Sequence, residues 1–278
     1  YRQAKSGTKV LVEQYIQEID EALRLLAELP DEVIPAQQKL DFFYRSNVCY
    51  GRSALMLSGG GVLGFLHVGV VSELLRQGLL PRVISGSSAG SIVAAALAAY
   101  TDEEMAELDL VGMMDSDDDG SKSVLWQWVS GMGSRLTAED TEKLIAATIP
   151  DLTFAEAYAK TGRQVSITVA PAEPHQRSRL LNAVSSPNVY LRSAAMASCA
   201  IPGVFPAVML QAKNELGESQ PYLPARRWVD GSVADDLPAK RLSRLFSTNH
   251  YIVSMVNPIA RAFLPRDDKV RPLRQAAT

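Results

Sequence analysis

The 278-residue chain has little of what builds metal or disulfide sites. It holds two cysteines, Cys49 and Cys199, neither in a CxxC pair nor beside a histidine at ligand spacing. Its three histidines, His67, His175 and His250, form no HxxH or HExxH pattern. These absences argue against a zinc site and a disulfide framework, and leave no metal to expect. The cysteines read as two reduced, buried thiols. Positive charge is also short. Against 31 Asp and Glu stand 28 Lys and Arg, for a net charge of −3. No basic field exists to gather nucleic acid or an anionic membrane, so lipid contact would have to come from apolar surface. The longest strongly apolar run, Ile92–Tyr100, falls far below the roughly 20 residues of a membrane-spanning helix. The chain starts at Tyr1, which reads as a fragment or a processed chain.

What is present is ordinary globular material, 47% hydrophobic and 21% charged, enough for one large core and a small appendage. Residues 8–29 carry Leu11, Val12, Tyr15, Ile16, Ile19, Leu23, Leu26 and Leu29 at helical spacing, up to Pro30. This helix and the chain from there to residue 48 read as an N-terminal helical segment, with residues 49–278 as the main domain. In the main domain strand-like and helix-like runs alternate. "ALML" (54–57) reads as a buried strand, "GFLHVGVVSELLRQG" (64–78) as a helix, "RVIS" (82–85) as a strand and "SIVAAALAAY" (91–100) as a helix. That order predicts an α/β fold with a mainly parallel sheet covered on both faces. Thr153-x-x-Glu156 reads as a capping box, "RQVSITVAP" (163–171) as a strand, and the helix begun at Leu191 stops before Pro202. Between Gly112 and Ser123 the chain is polar and acidic, flanked by Met113, Met114, Trp126, Trp128 and Met132. Ordinary core packing of the tryptophans is favoured there over a mobile, lipid-touching lid.

The chemistry concentrates in "VISGSSAGSIVAA" (83–95), which contains Ser85, Ser87, Ser88 and Ser91. Ser88 alone has glycine two positions away on both sides, Gly86 and Gly90. Gly-x-Ser-x-Gly between a strand and a helix is a nucleophile elbow: the serine stands at a sharp turn, over the N–H groups and positive dipole of the next helix. The competing reading is a helix N-cap. Just after the first strand, "SGGGVLG" (58–64) offers unobstructed backbone N–H groups that suit an anion or an oxyanion. Gly59, Gly61 and Gly64 also match the dinucleotide fingerprint Gly-x-Gly-x-x-Gly. That fingerprint needs an acid about 20 residues on, at the end of the next strand. Ile84, Ser85 and Gly86 stand there instead. A serine turn beside a glycine loop suits acyl transfer.

The base is less obvious. His67 sits at apolar spacing, His175 in a proline-containing loop, and His250 before a strand. His250 alone follows the chain order of a Ser-Asp-His hydrolase. Asp230 is the better candidate, because it ends an apolar run and precedes Gly231, although an Asp-Gly turn without chemistry is common. Asp235 and Asp236 read as caps of the next helix.

Taken in order, "SGGGVLG", "GSSAG", "ASCAIPGVFPAV" and "VDGS" resemble the patatin-like phospholipase family over about Leu55 to Pro258. The likeness is closest to the branch holding triacylglycerol lipases, which carries a helical segment before the domain. The resemblance implies a three-layer α/β/α fold and a Ser-Asp dyad without histidine. Carried over by motif, Ser88 is the nucleophile and Asp230 the base. Gly59, Gly60 and Gly61, joined by the Ala89 N–H, form the oxyanion hole. Gly64, Gly86, Gly90 and Gly231 are the motif glycines. It implies hydrolysis of fatty acyl esters of phospholipids or acylglycerols through an acyl-enzyme, without cofactor. It places the chain in the cytoplasm, peripheral to a membrane or lipid body, and leaves oligomeric state open, a homodimer included. Val62 and Leu63 occupy positions where the family often has a basic residue, and Ser232 stands where alanine or glycine is usual; it is small and reads as harmless. No histidine has aspartate five residues on, so no acyltransferase activity is expected. The alternative is an inactive lipid-binding or scaffold protein of the same fold.

Overall fold

The computed structural model describes residues 9–107, 137–173 and 175–257, so the segment expected to be a lid or core, 112–133, lies outside the described residues. The chain divides into two compact units, Tyr1–Gly51 and Arg52–Thr278. In the first, helix α1 spans Val10–Glu28 and α2 spans Ala36–Tyr50. α1 ends where it does because a residue before proline avoids the helical region: Leu29 turns to ψ 139 ahead of Pro30.

The second unit is built on a central sheet. Its strands are β1 (Arg52–Leu57), β2 (Val83–Gly86), β3 (Gln164–Pro171), β4 (Arg179–Asn182), β7 (Trp228–Asp230) and β8 (Thr248–Ser254), while β5 (Gln211–Lys213) and β6 (Ser219–Pro221) form a separate hairpin. The strand order is β4-β3-β2-β1-β8, with β7 paired to β3 off that path. β1, β2, β3 and β8 run parallel, while β4 and β7 run antiparallel to β3. The mixed but mostly parallel sheet follows from the strand–helix alternation.

Helices cover the sheet as α3 (Leu66–Arg76), α4 (Ala89–Ala99), α5 (Asp102–Glu107), α6 (Ala138–Thr148), α7 (Phe154–Thr161), α8 (Leu191–Ser198) and α9 (Ala239–Phe246). The period-2 alternation of the strands decides which face each side chain serves. Leu55, Leu57, Ile84, Val165, Ile167 and Val169 enter the larger core with residues of α4, α6, α7 and α8. Ala54, Met56, Val83 and Leu180 enter a smaller core on the other face, closed by Leu242 and Phe246 of α9. The result is three layers of unequal weight. The alanines of α4 let it lie close against the sheet: Ala94, Ala95, Leu97 and Ala99 are fully buried.

Local expectations meet the structure at several points. The helix read from residue 64 begins as a 3-10 turn, Gly61–Phe65, and becomes α-helical only at Leu66. The capping box is formed, Thr153 accepting from the Glu156 N–H while the Glu156 carboxylate accepts from the Thr153 N–H at 2.9 Å. In register, Leu57 at the end of β1 lies between Gly86 of β2 and Ser254 of β8. The last strand of the sheet thus returns to pair with the first. Strand order across the sheet reverses at β1, and such reversals leave a crevice at the carboxyl ends of the strands.

Candidate active site

β2 ends at Gly86 and α4 begins at Ala89, so the chain must reverse within Ser87 and Ser88. The strain falls on Ser88, at φ 50 and ψ −124, a region L-residues rarely enter. The flanking glycines are there for room. A Cβ on Gly86 would sit 2.3 Å from the Gly90 carbonyl oxygen, and one on Gly90 would sit 2.4 Å from that of Leu57. The strained turn is also tied from outside. The Ser88 N–H donates to Ser198 Oγ at 2.8 Å, and Ser198 Oγ donates onward to the Thr168 carbonyl at 2.8 Å. α8 and β3 thereby hold the elbow in place.

The four serines differ in their surroundings. Ser91 Oγ donates to the Ser88 carbonyl at 2.6 Å, and Ser87 Oγ to the Asp236 carbonyl at 3.0 Å. Ser85 Oγ is buried and has no partner among the described residues. The Ser88 side chain lies close enough to the Asp230 carboxylate to lower its pKa.

Asp230 arrives there because β7 pairs with β3 at Val169–Pro171, beyond Ile167, where the pairing of β2 with β3 stops. Gly231 allows the close approach: a Cβ there would meet the Thr168 carbonyl at 2.5 Å. Asp230 is 3% exposed, and burial raises its pKa above the ordinary carboxylate value against the lowering by its hydrogen bonds. The lowering comes from the Ser232 N–H, which donates at 2.7 Å, and from the nearby Ser88 and Ser232 side chains. Ser232 therefore helps to hold Asp230, its N–H donating to the carboxylate.

The glycine loop sits against the elbow. A Cβ on Gly59 would lie 3.2 Å from Ser88 Cβ, and one on Gly60 would lie 2.6 Å from a methyl of Val256. Gly61 has φ +54 with open space around its Cα, so it is needed for backbone conformation rather than room. The N–H groups of Gly60, Gly61 and Ala89 make no bond among the described residues. The Gly59 N–H is committed to Asp236 Oδ1 at 2.7 Å, so Gly59 lines the loop without offering that group. Asp235 and Asp236 do not cap the next helix either. The N-cap of α9 is Pro238, without a side-chain bond, and Asp235 pairs with Arg241.

The histidines lie elsewhere. His250 bonds Ser53 Oγ at 2.9 Å near the start of β1 and β8, the opposite end of those strands from Ser88. His175 is exposed. His67 is fully buried under the glycine loop. Its Nε2–H donates to the Ser58 carbonyl at 2.9 Å, Nδ1 bonds Ser254 Oγ at 2.7 Å, and burial lowers its pKa. Cys199 is a buried thiol pushed up to about 12 by desolvation and the nearby Asp230 charge. Cys49 is exposed, not buried as expected, because none of the residues of α2 is buried. Among the described residues no three His, Cys, Asp or Glu group to hold a metal ion, and no helix is long and apolar enough to cross a membrane.

Beside Ala89 lies an apolar cavity of about 60 Å³ between α3, α4, α5 and α6, lined by Val71, Ile92, Ala96, Leu97, Met105 and Leu144 among others. Its walls are aliphatic and it adjoins the unbonded Ala89 N–H.

The patatin-like phospholipase family matches residues 55–242, a stretch that contains the glycine loop, the elbow and Asp230. The chain belongs to the patatin-like phospholipase family. Residues 1–47 match a second family described only as a domain of unknown function, DUF3336. A patatin-like phospholipase domain-containing protein of Aspergillus niger is 37% identical over 95% of this chain, which covers 35% of that protein. The triacylglycerol lipase SDP1L of Arabidopsis thaliana is 37% identical over 94% of this chain and 34% of its own length. The chain thus spans about a third of the curated relatives it matches. Among solved structures, VipD of Legionella pneumophila overlaps 77% of this patatin-like chain and 52% of its own at 13% identity and a TM-score of 0.37. ExoU of Pseudomonas aeruginosa overlaps 56% and 39% at 24% identity and a TM-score of 0.35.

Proposed function

We propose that this chain is a serine lipid acyl hydrolase acting through a Ser88–Asp230 dyad. The observation that carries the reading is a serine held at a strained elbow, its side chain beside a buried carboxylate whose pKa it lowers. In the reaction, Asp230 takes the Ser88 proton as Oγ attacks an ester carbonyl. An aspartate is ordinarily a weak base for a hydroxyl. Burial raises its basicity, which is the direction the step needs. The N–H groups of Gly60, Gly61 and Ala89 receive the oxygen as it becomes negative, as donors already in place. The alcohol leaves with the proton held on Asp230. Water, deprotonated by the same carboxylate, then attacks the acyl-Ser88 ester and releases the fatty acid.

The cavity beside Ala89 supports a fatty acyl substrate, and the match to a triacylglycerol lipase points to acylglycerols alongside phospholipids. The test is fatty-acid release by the purified chain from phospholipid vesicles and from triolein emulsions. Release by wild type and none by Ser88→Ala supports the reading. Equal release by both, or none by wild type on either substrate, overturns it.

A further inference from the structure

We propose that Asp236 is a positioning residue that sets the oxyanion donors against the nucleophile by locking the first residue of the glycine loop. This rests on the hydrolase reading and adds to it a residue outside the dyad.

The geometry singles out Asp236 because it joins three segments that are far apart in sequence. Its Oδ1 accepts the Gly59 N–H at 2.7 Å, across 177 residues of chain. Its own carbonyl accepts from Ser87 Oγ at 3.0 Å, one residue before the nucleophile. Its side chain also bonds Asn257, just past β8. Asp236 itself lies six positions after Asp230 on the turn that carries the base. One residue thus links the glycine loop, the elbow, the base turn and the chain after β8.

The loop needs such a link. Three consecutive glycines have no side chains with which to fix their own conformation, and Gly61 is at φ +54. Gly59 is wedged between Ser232 and Ser88, and its carbonyl accepts from Ser58 Oγ at 2.9 Å. With its N–H turned to Asp236, Gly59 is held at both of its backbone polar groups. The next two N–H groups, of Gly60 and Gly61, are left without partners for the substrate. If the Gly59 N–H swung free, it would compete for the same oxyanion and shift the other two donors. Displacement by about 1 Å at a reacting centre is worth on the order of 100-fold in rate.

A second carboxylate within reach of Asp230 has no structural motive. Burial raises the pKa of Asp236 above its ordinary value, with repulsion from Asp230 adding to it. A half-buried like charge beside the base is a standing penalty, and an acceptor in that place serves the glycine loop.

The test separates acceptor position from charge. Asp236→Asn keeps an oxygen at the Oδ1 place without the charge. Asp236→Glu keeps the charge and moves the oxygen out by one methylene. Steady-state hydrolysis of p-nitrophenyl butyrate is measured for both, with Asp236→Ala and Ser88→Ala alongside and a thermal melt for each. The expected result is kcat within about fivefold of wild type for Asp236→Asn. For Asp236→Glu kcat falls about 10-fold or more with KM within about threefold, and folded Asp236→Ala loses about 100-fold in kcat. If Asp236→Ala does not fold, the Asn and Glu variants carry the test. The proposal is overturned if the order is reversed, with Glu active and Asn impaired, or if folded Asp236→Glu and Asp236→Ala both keep full kcat. Wild type without turnover, or an active Ser88→Ala, would instead fail the hydrolase reading itself.

Discussion

The two β–α turns that build the site are alike in plan and differ in where they are open. The elbow after β2 is crowded on both sides: Gly86 and Gly90 have backbone within 2.4 Å of where a side chain would begin. The glycine loop after β1 is crowded at Gly59 and Gly60 but open at Gly61, and is held by a bond from Ser58 Oγ to the Gly59 carbonyl and, from outside, by Asp236. On the proposed mechanism the nucleophile must not move, which suits a packed turn, and the oxyanion donors must be bare, which suits a turn left open at Gly61 and tethered at Gly59. Glycine serves the first turn by being small and the second by adopting φ > 0.

The contrast can be broken at each point. The largest effects belong to the reacting pair. Ser88→Ala and Asp230→Asn should each lower p-nitrophenyl ester turnover by about 10⁴-fold or more. Asp230→Asn should do so without loss of stability. The folded-state pKa of Asp230 is raised above its unfolded value. Its contribution to stability is therefore present at low pH and lost as pH rises through the folded pKa, so at pH 7 the ionised carboxylate opposes folding. A melting temperature at pH 7 equal to or above wild type is the expected outcome, and a clear fall would show that Asp230 is structurally required as a charge.

Next come the turn glycines. Gly86→Ala or Gly90→Ala forces a methyl into backbone atoms and should destabilise the fold by about 3 kcal/mol, lowering the melting temperature by roughly 6–12 °C. Gly61→Ala meets no neighbour and should cost about 1 kcal/mol for its left-handed backbone. Equal losses at the two turns would erase the distinction between them.

Smaller effects test the supports. Ser198→Ala removes the acceptor of the Ser88 N–H and should lower kcat about 10-fold while leaving KM unchanged, as measured on a short-chain ester. Ala96→Phe fills the cavity beside Ala89 and should lower kcat/KM for a dodecanoate ester about 10-fold relative to the acetate; an equal loss on both esters would place the acyl chain elsewhere. The smallest expected effect is none: His250→Ala should turn over at the wild-type rate, since its ring bonds Ser53 at the far end of the strands. Across pH, kcat/KM should fall on acidification, because the base must be ionised, with a midpoint above the ordinary aspartate value of 3.8.

Much of this architecture was legible because its signals are local. Ala54–Leu57, Val83–Gly86 and Gln164–Pro171 carry short apolar or alternating runs bounded by turn residues, and they form β1, β2 and β3. Ser88 and Asp230 stand out as candidates for the same reason, each in a turn whose neighbours explain it, and the structure brings their side chains close together. What escaped was made by distance. Ser198 reaches the elbow across 110 residues, and Asp236 reaches Gly59 across 177. Read along the chain, Asp236 is an acid before a helix, and capping is what such residues commonly do. Ser232 looked inert because its size was weighed and its N–H and hydroxyl were not. The β5–β6 hairpin and β4 have too few residues for a period to show. The one signal within reach was Asp235-Asp236 itself, two adjacent acids close to a buried third, a cost that capping alone does not explain.

Everything in this scheme depends on Ser88 being a nucleophile activated by Asp230, and labelling with a fluorophosphonate probes that in one step. Intact mass and peptide mapping should show one adduct on the wild-type chain, at Ser88, and labelling should slow by about 100-fold or more in Asp230→Asn while that variant stays folded. An adduct on another residue, or a folded Asp230→Asn that reacts as fast as wild type, would refute the dyad.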